Sequence, residues 1–408
     1  MNVMNSAPLF LDRYMEVRER SIRLCAPLTA EDHVPQPMPE TSPPKWHLGH
    51  TTWYFETMLL VPNLLDYKVY HPRFTFLFNS YYESLGPRVA RVQRGHLSRP
   101  TVNEVLAYRA HVDNAIERLL QDELEPRQRE LLELGLQHEQ QHQELLLTDI
   151  KVILGCNPLD PAYDPDARSG INLDAEHLDA KLGQDQWVES LPGVVEVGHD
   201  GSDFAFDNES PRHKIYVRPV RLRRTLITNS EYLNFMADGG YQRHELWHAE
   251  GWDWLAAQPQ RAPLHWRADP ARPGHWLHFT LQGLQPLGSH APITHVSYYE
   301  AFAFCQWAGW RLPTEFEWEA LAPALDWGQR WEWTQSAYEP YPGFRRSPDA
   351  AGEYNGKFMV NQQVLRGASF ATPPGHARRT YRNFFHAHER WQYTGIRPAR
   401  DVDTQGQS

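Results

Sequence analysis

The sequence predicts an α+β protein in two parts: an N-terminal four-helix bundle, then a loop-rich domain of short strands and few helices. Three observations carry this. The first 155 residues hold four stretches of helical periodicity. After Gly155 the segment "CNPLDPAYDPDARSGINLD" is rich in Pro, Asp and Gly, the composition of a linker or exposed excursion. From about residue 190, short alternating pieces such as "VVEVG" and "HKIYVRPVRL" are cut by Gly, Pro and Asn. At 408 residues, 41% hydrophobic and 22% charged, the chain is long enough for two or three cores.

Each element has a local cause. "LFLDRYMEVRERSIRL" reads as the first helix. "TSPPKWHLGHTTWYFETMLL" opens the second, with Ser42 expected as N-cap and prolines in the first turn, where a missing N–H costs little. In the third, Thr101 and Glu104 stand at capping-box spacing, and Val105, Val112, Ile116 and Leu119 share one stripe. The fourth runs from Pro126 to Gly155, a start and a stop signal in the expected places. In the second part, "NSEYLNFMADGG", "SYYEAFAFCQWAG" and "TEFEWEALA" are the clearest helices. The expected division is 1–155, a linker over 156–189, and 190–408, with no internal repeat.

Composition excludes several classes. A net charge of -11 argues against a general binder of nucleic acid or anionic membrane. No apolar run reaches the length of a membrane span, and the N-terminus lacks the pattern of a secretory signal. Cys25, Cys156 and Cys305 form no CxxC and are expected as reduced thiols in a cytoplasmic protein. The 15 Trp suit either a large rigid core or a site for a cation or flat ring.

The chemistry concentrates in "LQHEQQHQELLLTDI". His138-Glu139-Gln140-Gln141-His142 is a literal H-E-x-x-H, which places two imidazoles one helical turn apart. The spacing is that of zinc proteases, but the Gly and third His of a metzincin do not follow. A glutamate from a following helix, with Glu176 the nominee, falls in apparent loop. The plainer alternative is a solvated polar face, since Gln137 to Glu144 is polar nearly all round. "WHLGH" supplies His47 and His50 on another helix, and a bundle core can bring an i,i+4 pair and a third His together. Three neutral imidazoles leave coordination positions open, which suits catalytic Zn²⁺ or Fe²⁺. In the second part, "WRLPTEFEWEALA", "WEWTQSAYEPYP" and "VLRGASF" read mainly as architecture: Trp packing, a buried Arg366 salt bridge and turn glycines. "YRNFF" (Tyr381 to Phe385) instead sets an Asn beside aromatics, equipment for fixing a polar ligand with an apolar or cationic part.

"RLPTEFEWE", "WEWT" and "VLRGASF" resemble the formylglycine-generating-enzyme fold, which is C-type-lectin-like, and "WHLGHTTWYFE" with "LQHEQQHQELLLTDI" resembles a DinB-type four-helix bundle. Fused in this order over nearly the whole chain, they resemble the ergothioneine-pathway sulfoxide synthases (the EgtB family) and the related selenoneine synthases. The resemblance implies a non-haem Fe(2+) held by His50, His138 and His142, with Glu139 not a protease base. It implies O₂-dependent coupling of hercynine, at its imidazole C2, to a thiol such as cysteine or γ-glutamylcysteine. Gln141 matches a contact to the substrate imidazole and Asn383 one to its carboxylate. Phe384 and Phe385 stand where some members carry Trp-Asp, at the trimethylammonium group. Tyr81 and Tyr82 match a tyrosine pair of one subgroup in which a phenol near iron gives a proton, with Tyr82 preferred. Arg88 and Arg91 match arginines that grip the donor's carboxylates. Three alternatives remain: a selenosugar donor with a selenium product, a DinB-like zinc thiol-transferase or hydrolase, and a lectin-like binding module. Formylglycine generation is excluded, because it needs a late cysteine pair and Cys305 is the last cysteine.

Overall fold

The computed structural model describes residues 7–176, 178–179, 186–346 and 355–402. By contacts the chain divides into two units. The first holds residues 1–171 with the short segments 281–283 and 371–376, and the second holds the remainder. The "CNPLDPAYDPDARSGINLD" segment therefore stays with the bundle as far as Ile171. The expected linker over 156–189 also contains β1, from Trp187, and residues 177 and 180–185, which lie outside the described residues.

Unit 1 is built on α1 (Ala7–Cys25), α2 (Pro44–Tyr54), α5 (Val102–Leu119) and α6 (Pro126–Gly155). Helix α2 continues through a π-helical stretch, Phe55–Leu60, into α3 (Val61–Asn63); α4 (Phe74–Phe78) is a short turn beside it. The Thr101–Glu104 capping box forms as the sequence predicts, and Val105, Val112, Ile116 and Leu119 are all buried. Ser42 is not an N-cap. That position falls to Pro43, while the Ser42 hydroxyl accepts from Arg94 Nη1 (2.9 Å) and its N–H donates to Asp149 Oδ2 (2.8 Å). Gly135 lets α6 approach α2 closely, since a Cβ there would meet Phe55 and Tyr54 at 2.5–2.6 Å.

The polar run on α6 is not a solvated face. Gln137, His138, Glu139, Gln143 and Glu144 are buried, because other helices and the 371–376 segment bring them partners. Arg18 of α1 and Arg109 of α5 are 2% exposed and converge on Glu139, which is 0% exposed. Arg18 Nη1 donates at 2.8 Å, Arg109 Nη2 at 2.9 Å and Ser21 Oγ at 2.6 Å. Three helices are thus tied through one carboxylate, the arrangement a buried charge requires.

Unit 2 packs short sheets against few helices. Strand β4 (Val220–Arg223) lies between β1 (Trp187–Ser190) and β12 (Ala399–Asp401), antiparallel to both. A second sheet runs β10 (Asn383–Phe385), β9 (Gln363–Gly367), β8 (Trp331–Ala337), β11 (Thr394–Gly395). Two smaller sheets are β2 (Gly193–Val197) with β3 (His213–Val217), and β5 (Trp266–Ala268), β6 (Trp276–Thr280), β7 (Gly283–Pro286). Helices α7 (Asn229–Ala237), α9 (Tyr298–Trp307) and α10 (Glu315–Leu321) each start at a capping box set by Thr228, Ser297 and Thr314. Helix α8 (Ala249–Ala256), which has no capping box at its start, escaped the sequence reading.

The aromatic and arginine phrases of unit 2 are architectural. Trp318, Leu321 and Leu325 of the α10 region pack on Val220, Leu222 and Ala399. Arg382 pairs bidentately with Glu315 (2.8 and 2.9 Å), Arg366 pairs with Glu319, and Arg397 donates to Glu332 (2.7 Å), all buried. No helix among the described residues is long and apolar enough to cross a membrane.

Candidate metal centre

His50 on α2 and His138 and His142 on α6 bring their ligand nitrogens within 4.8 Å of one another. His50 Nε2 and His138 Nε2 are 3.2 Å apart. Two imidazole nitrogens bound at about 2.1 Å to one ion must stand roughly 3.0–3.4 Å apart, and this pair has that spacing.

The local sequence explains the aim of each ring. His50 Nδ1–H donates to the Phe78 carbonyl (2.6 Å), which leaves Nε2 as the lone-pair atom. Gly49 permits this, since a Cβ there would collide with the Phe78 ring. Trp46 and Trp53 sandwich the His50 ring at 4.6 and 5.6 Å. His142 Nδ1 meets His47 Nδ1 at 2.9 Å, and His47 Nε2 meets Asp149 Oδ2 at 2.9 Å. A carboxylate thus orients a histidine that orients a ligand histidine, leaving His142 Nε2 for an ion.

Burial and mutual repulsion hold the three imidazoles neutral. His50 and His142 are pushed well below the usual histidine range, and His138 is pushed down to about 3, with burial the largest cause in each. Neutral imidazole is the ligand form, so the donor set fits a divalent transition metal. Glu139 behaves in the opposite way. Burial would raise its carboxyl, but Arg109 and Arg18 outweigh burial and bring it down to about 2. A carboxylate so held is a poor proton acceptor at neutral pH, which removes the base that a zinc protease needs from this motif.

The other predicted residues are placed as follows. Tyr82 is 0% exposed and its ring lies 5.6 Å from Trp53, the same Trp that flanks His50. Asn79 clamps its main chain, accepting from Tyr82 N–H (3.0 Å) and donating to Tyr82 O (2.8 Å). Tyr81 is partly buried and stacks on Tyr82 at 4.7 Å. Gln141 is partly exposed. Arg88 pairs with Glu83, and Arg91 is exposed and donates to the Glu40 carbonyl. Asn383, Phe384 and Phe385 form β10 of unit 2; the Asn383 amide oxygen accepts from Phe384 N–H (2.9 Å), and Phe384 stacks on Tyr338 at 4.0 Å. Glu176 belongs to unit 2, beside His278 and His295.

Sequence reasoning missed three contributors. Asp149 stands two turns after His142 on the same face of α6, a spacing that could have flagged it. Arg94, three residues past Arg91, is 4% exposed; its guanidinium lies 3.4 Å from the Trp46 ring centre and donates to Ser42 and Ser80 (2.9 Å each). His376, in the late segment that joins unit 1, donates from Nδ1 to Gln137 Oε1 (2.7 Å).

Comparison with known proteins agrees with this architecture. Residues 13–146 match the DinB superfamily, and residues 179–329 match the sulfatase-modifying factor enzyme 1-like domain. The chain is a fusion of a DinB-type helical domain with a sulfatase-modifying-factor-type α+β domain. It is similar to the hercynine oxygenase of Mycolicibacterium thermoresistibile, 29% identical with 90% of this chain and 89% of that one covered. It is also similar to that of Mycolicibacterium smegmatis, 28% identical with 96% and 98% covered. The formylglycine-generating enzyme of Streptomyces coelicolor is 28% identical over 33% of this chain and 45% of its own. The chain is a homologue of the hercynine oxygenases along nearly its whole length.

Proposed function

We propose that the chain is a non-haem iron(II), O₂-dependent oxidoreductase that couples hercynine to a thiol such as cysteine or γ-glutamylcysteine. The reaction joins imidazole C2 to sulfur and gives a sulfoxide. It balances as hercynine plus thiol plus O₂ yielding sulfoxide plus water: the C2–H and S–H hydrogens leave in water, with one oxygen atom, and the other oxygen stays on sulfur. The observation that carries the reading is the convergence of His50, His138 and His142, with two Nε2 atoms 3.2 Å apart, in a homologue of the hercynine oxygenases.

Iron held by His50, His138 and His142 would supply the redox chemistry that O₂ and the thiol require. The chain's own residues do the rest. His47 and Asp149 fix the His142 ring, and Phe78 fixes that of His50. The Tyr82 hydroxyl moves a proton during O₂ reduction. Gln141 hydrogen-bonds the substrate imidazole. Asn383, its amide oriented by the Phe384 N–H, is assigned to the substrate carboxylate, and Phe384 and Phe385 to the cationic head. Arg88 and Arg91 receive the carboxylates of the sulfur donor. The three cysteines are thiols, which suits a reducing, cytoplasmic setting.

Incubating the iron-loaded protein with hercynine, each thiol and O₂, followed by mass spectrometry, tests the reading. A product holding both substrates and one added oxygen atom is expected. Hercynine left unconsumed with every thiol would reject it.

A further inference from the structure

Unit 2 holds a second buried cluster of metal-ligating side chains. Glu176, His278 and His295 each bring one ligand atom, all within 4.8 Å of one another, the same bound that holds for the three histidines of unit 1. They are 1%, 5% and 0% exposed. Separate segments deliver them. Glu176 ends the 3-10 turn Leu173–Glu176, His278 lies on β6 opposite Trp266 of β5, and His295 precedes α9.

The surrounding main chain locks this arrangement. Leu264 N–H donates to the His295 carbonyl (3.1 Å), and Phe279 N–H to the His265 carbonyl (2.9 Å). Arg330, 1% exposed, anchors the turn that carries Glu176: its Nη2 donates to the Glu176 main-chain carbonyl (2.6 Å). His265 and His295 both adopt left-handed backbone, at φ 70° and 59°. That conformation costs an L-residue on the order of 1 kcal/mol or more and persists where the surroundings over-determine it, ligand clamps among them. Two such residues meet here, their rings 4.8 Å apart edge to face, and Tyr393 closes on His295 at 4.9 Å.

We propose that Glu176, His278 and His295 form a divalent-cation site of unit 2 that takes zinc. One carboxylate and two imidazoles are a zinc donor set, with the fourth position of a tetrahedral ion left for water. A tetrahedral ion at about 2.1 Å needs donors roughly 3.4 Å apart, so the ligand atoms, all within 4.8 Å of one another, need close by no more than about 1.4 Å, within the reach of side-chain rotation. The ion ties the turn at the start of unit 2 to the β5–β6 hairpin and the segment leading into α9. The proposal is independent of the iron chemistry assigned to unit 1.

The test uses the full chain carrying His50→Ala and His142→Ala, which removes the first site. Metal is counted as purified, and again after chelator treatment and titration with Zn²⁺ alone. About one Zn²⁺ per chain is expected, and Co²⁺ in its place should show the visible bands of a four-coordinate ion. Adding Glu176→Gln or His278→Ala should weaken zinc binding on the order of 100-fold. The proposal is overturned if the folded double variant holds less than about 0.1 Zn²⁺ per chain at micromolar free zinc. It is overturned equally if zinc binds but neither added substitution weakens it. Should those added variants not fold, the stoichiometry and the Co²⁺ spectrum of the double variant decide.

Discussion

Replacing Glu139 by Gln separates the two meanings that an H-E-x-x-H motif can have. The carboxylate accepts from Arg18, Arg109 and Ser21, and those guanidiniums bring it from an ordinary 4.5 to about 2 against the opposing effect of burial. That difference corresponds to about 3 kcal/mol of folding stability at neutral pH. Because the folded-state value is depressed, this stability is complete above about pH 4.5 and is lost as the pH falls toward about 2. The substitution keeps the side-chain volume but leaves the buried Arg109 without a carboxylate and Arg18 with Asp113 alone, a change that costs about 3–5 kcal/mol in comparable pairs. At about 2–4 °C per kcal/mol for a unit of this size, Tm should fall by roughly 6–20 °C. Circular dichroism melts at neutral pH should show that drop, and near pH 3 the gap to wild type should narrow. Iron occupancy below the transition should be unchanged. A variant that melts within about 2 °C of wild type yet loses all activity would refute the structural assignment and return Glu139 to the chemistry.

Four substitutions probe the rest of the account. Asp149→Asn removes the anchor of His47 and so loosens His142; metal affinity, measured by competition with a chelator, should weaken by about 10- to 100-fold while folding persists. Tyr82→Phe keeps the ring against Trp53 and deletes the O–H; iron loading should stay normal while product shifts from coupled sulfoxide toward oxidised thiol, and an unchanged product ratio would discard the proton role. Asn383→Ala should raise KM for hercynine, and Arg88→Ala KM for the thiol, each by the loss of a contact worth about 1–3 kcal/mol; identical effects on both substrates would contradict the assignment.

What could be read in the sequence was what local spacing encodes. His138 and His142 share a face because they are one turn apart, and Thr101 caps α5 because Glu104 follows at the right interval. The phrases around Arg366 and Trp318 were legible as architecture, since buried Arg and Trp demand partners. What escaped depends on partners far along the chain. The run Gln137 to Glu144 looks solvated until Arg18 and Arg109 arrive from other helices. Arg94 could not be told from Arg88 and Arg91, because the 3-10 helix Arg91–His96 is too short for its sequence to say which guanidinium turns inward. The 371–376 segment carries no mark that it joins the bundle rather than the domain that flanks it in sequence.

Iron stoichiometry tests the central claim most directly: that His50, His138 and His142 together hold one Fe²⁺. Protein loaded anaerobically and freed of loose metal should carry about one Fe²⁺ more per chain than each of His50→Ala, His138→Ala and His142→Ala, and activity should fall with the lost ion. If all three variants keep the iron content of the wild type, the three-histidine centre is not where the iron binds.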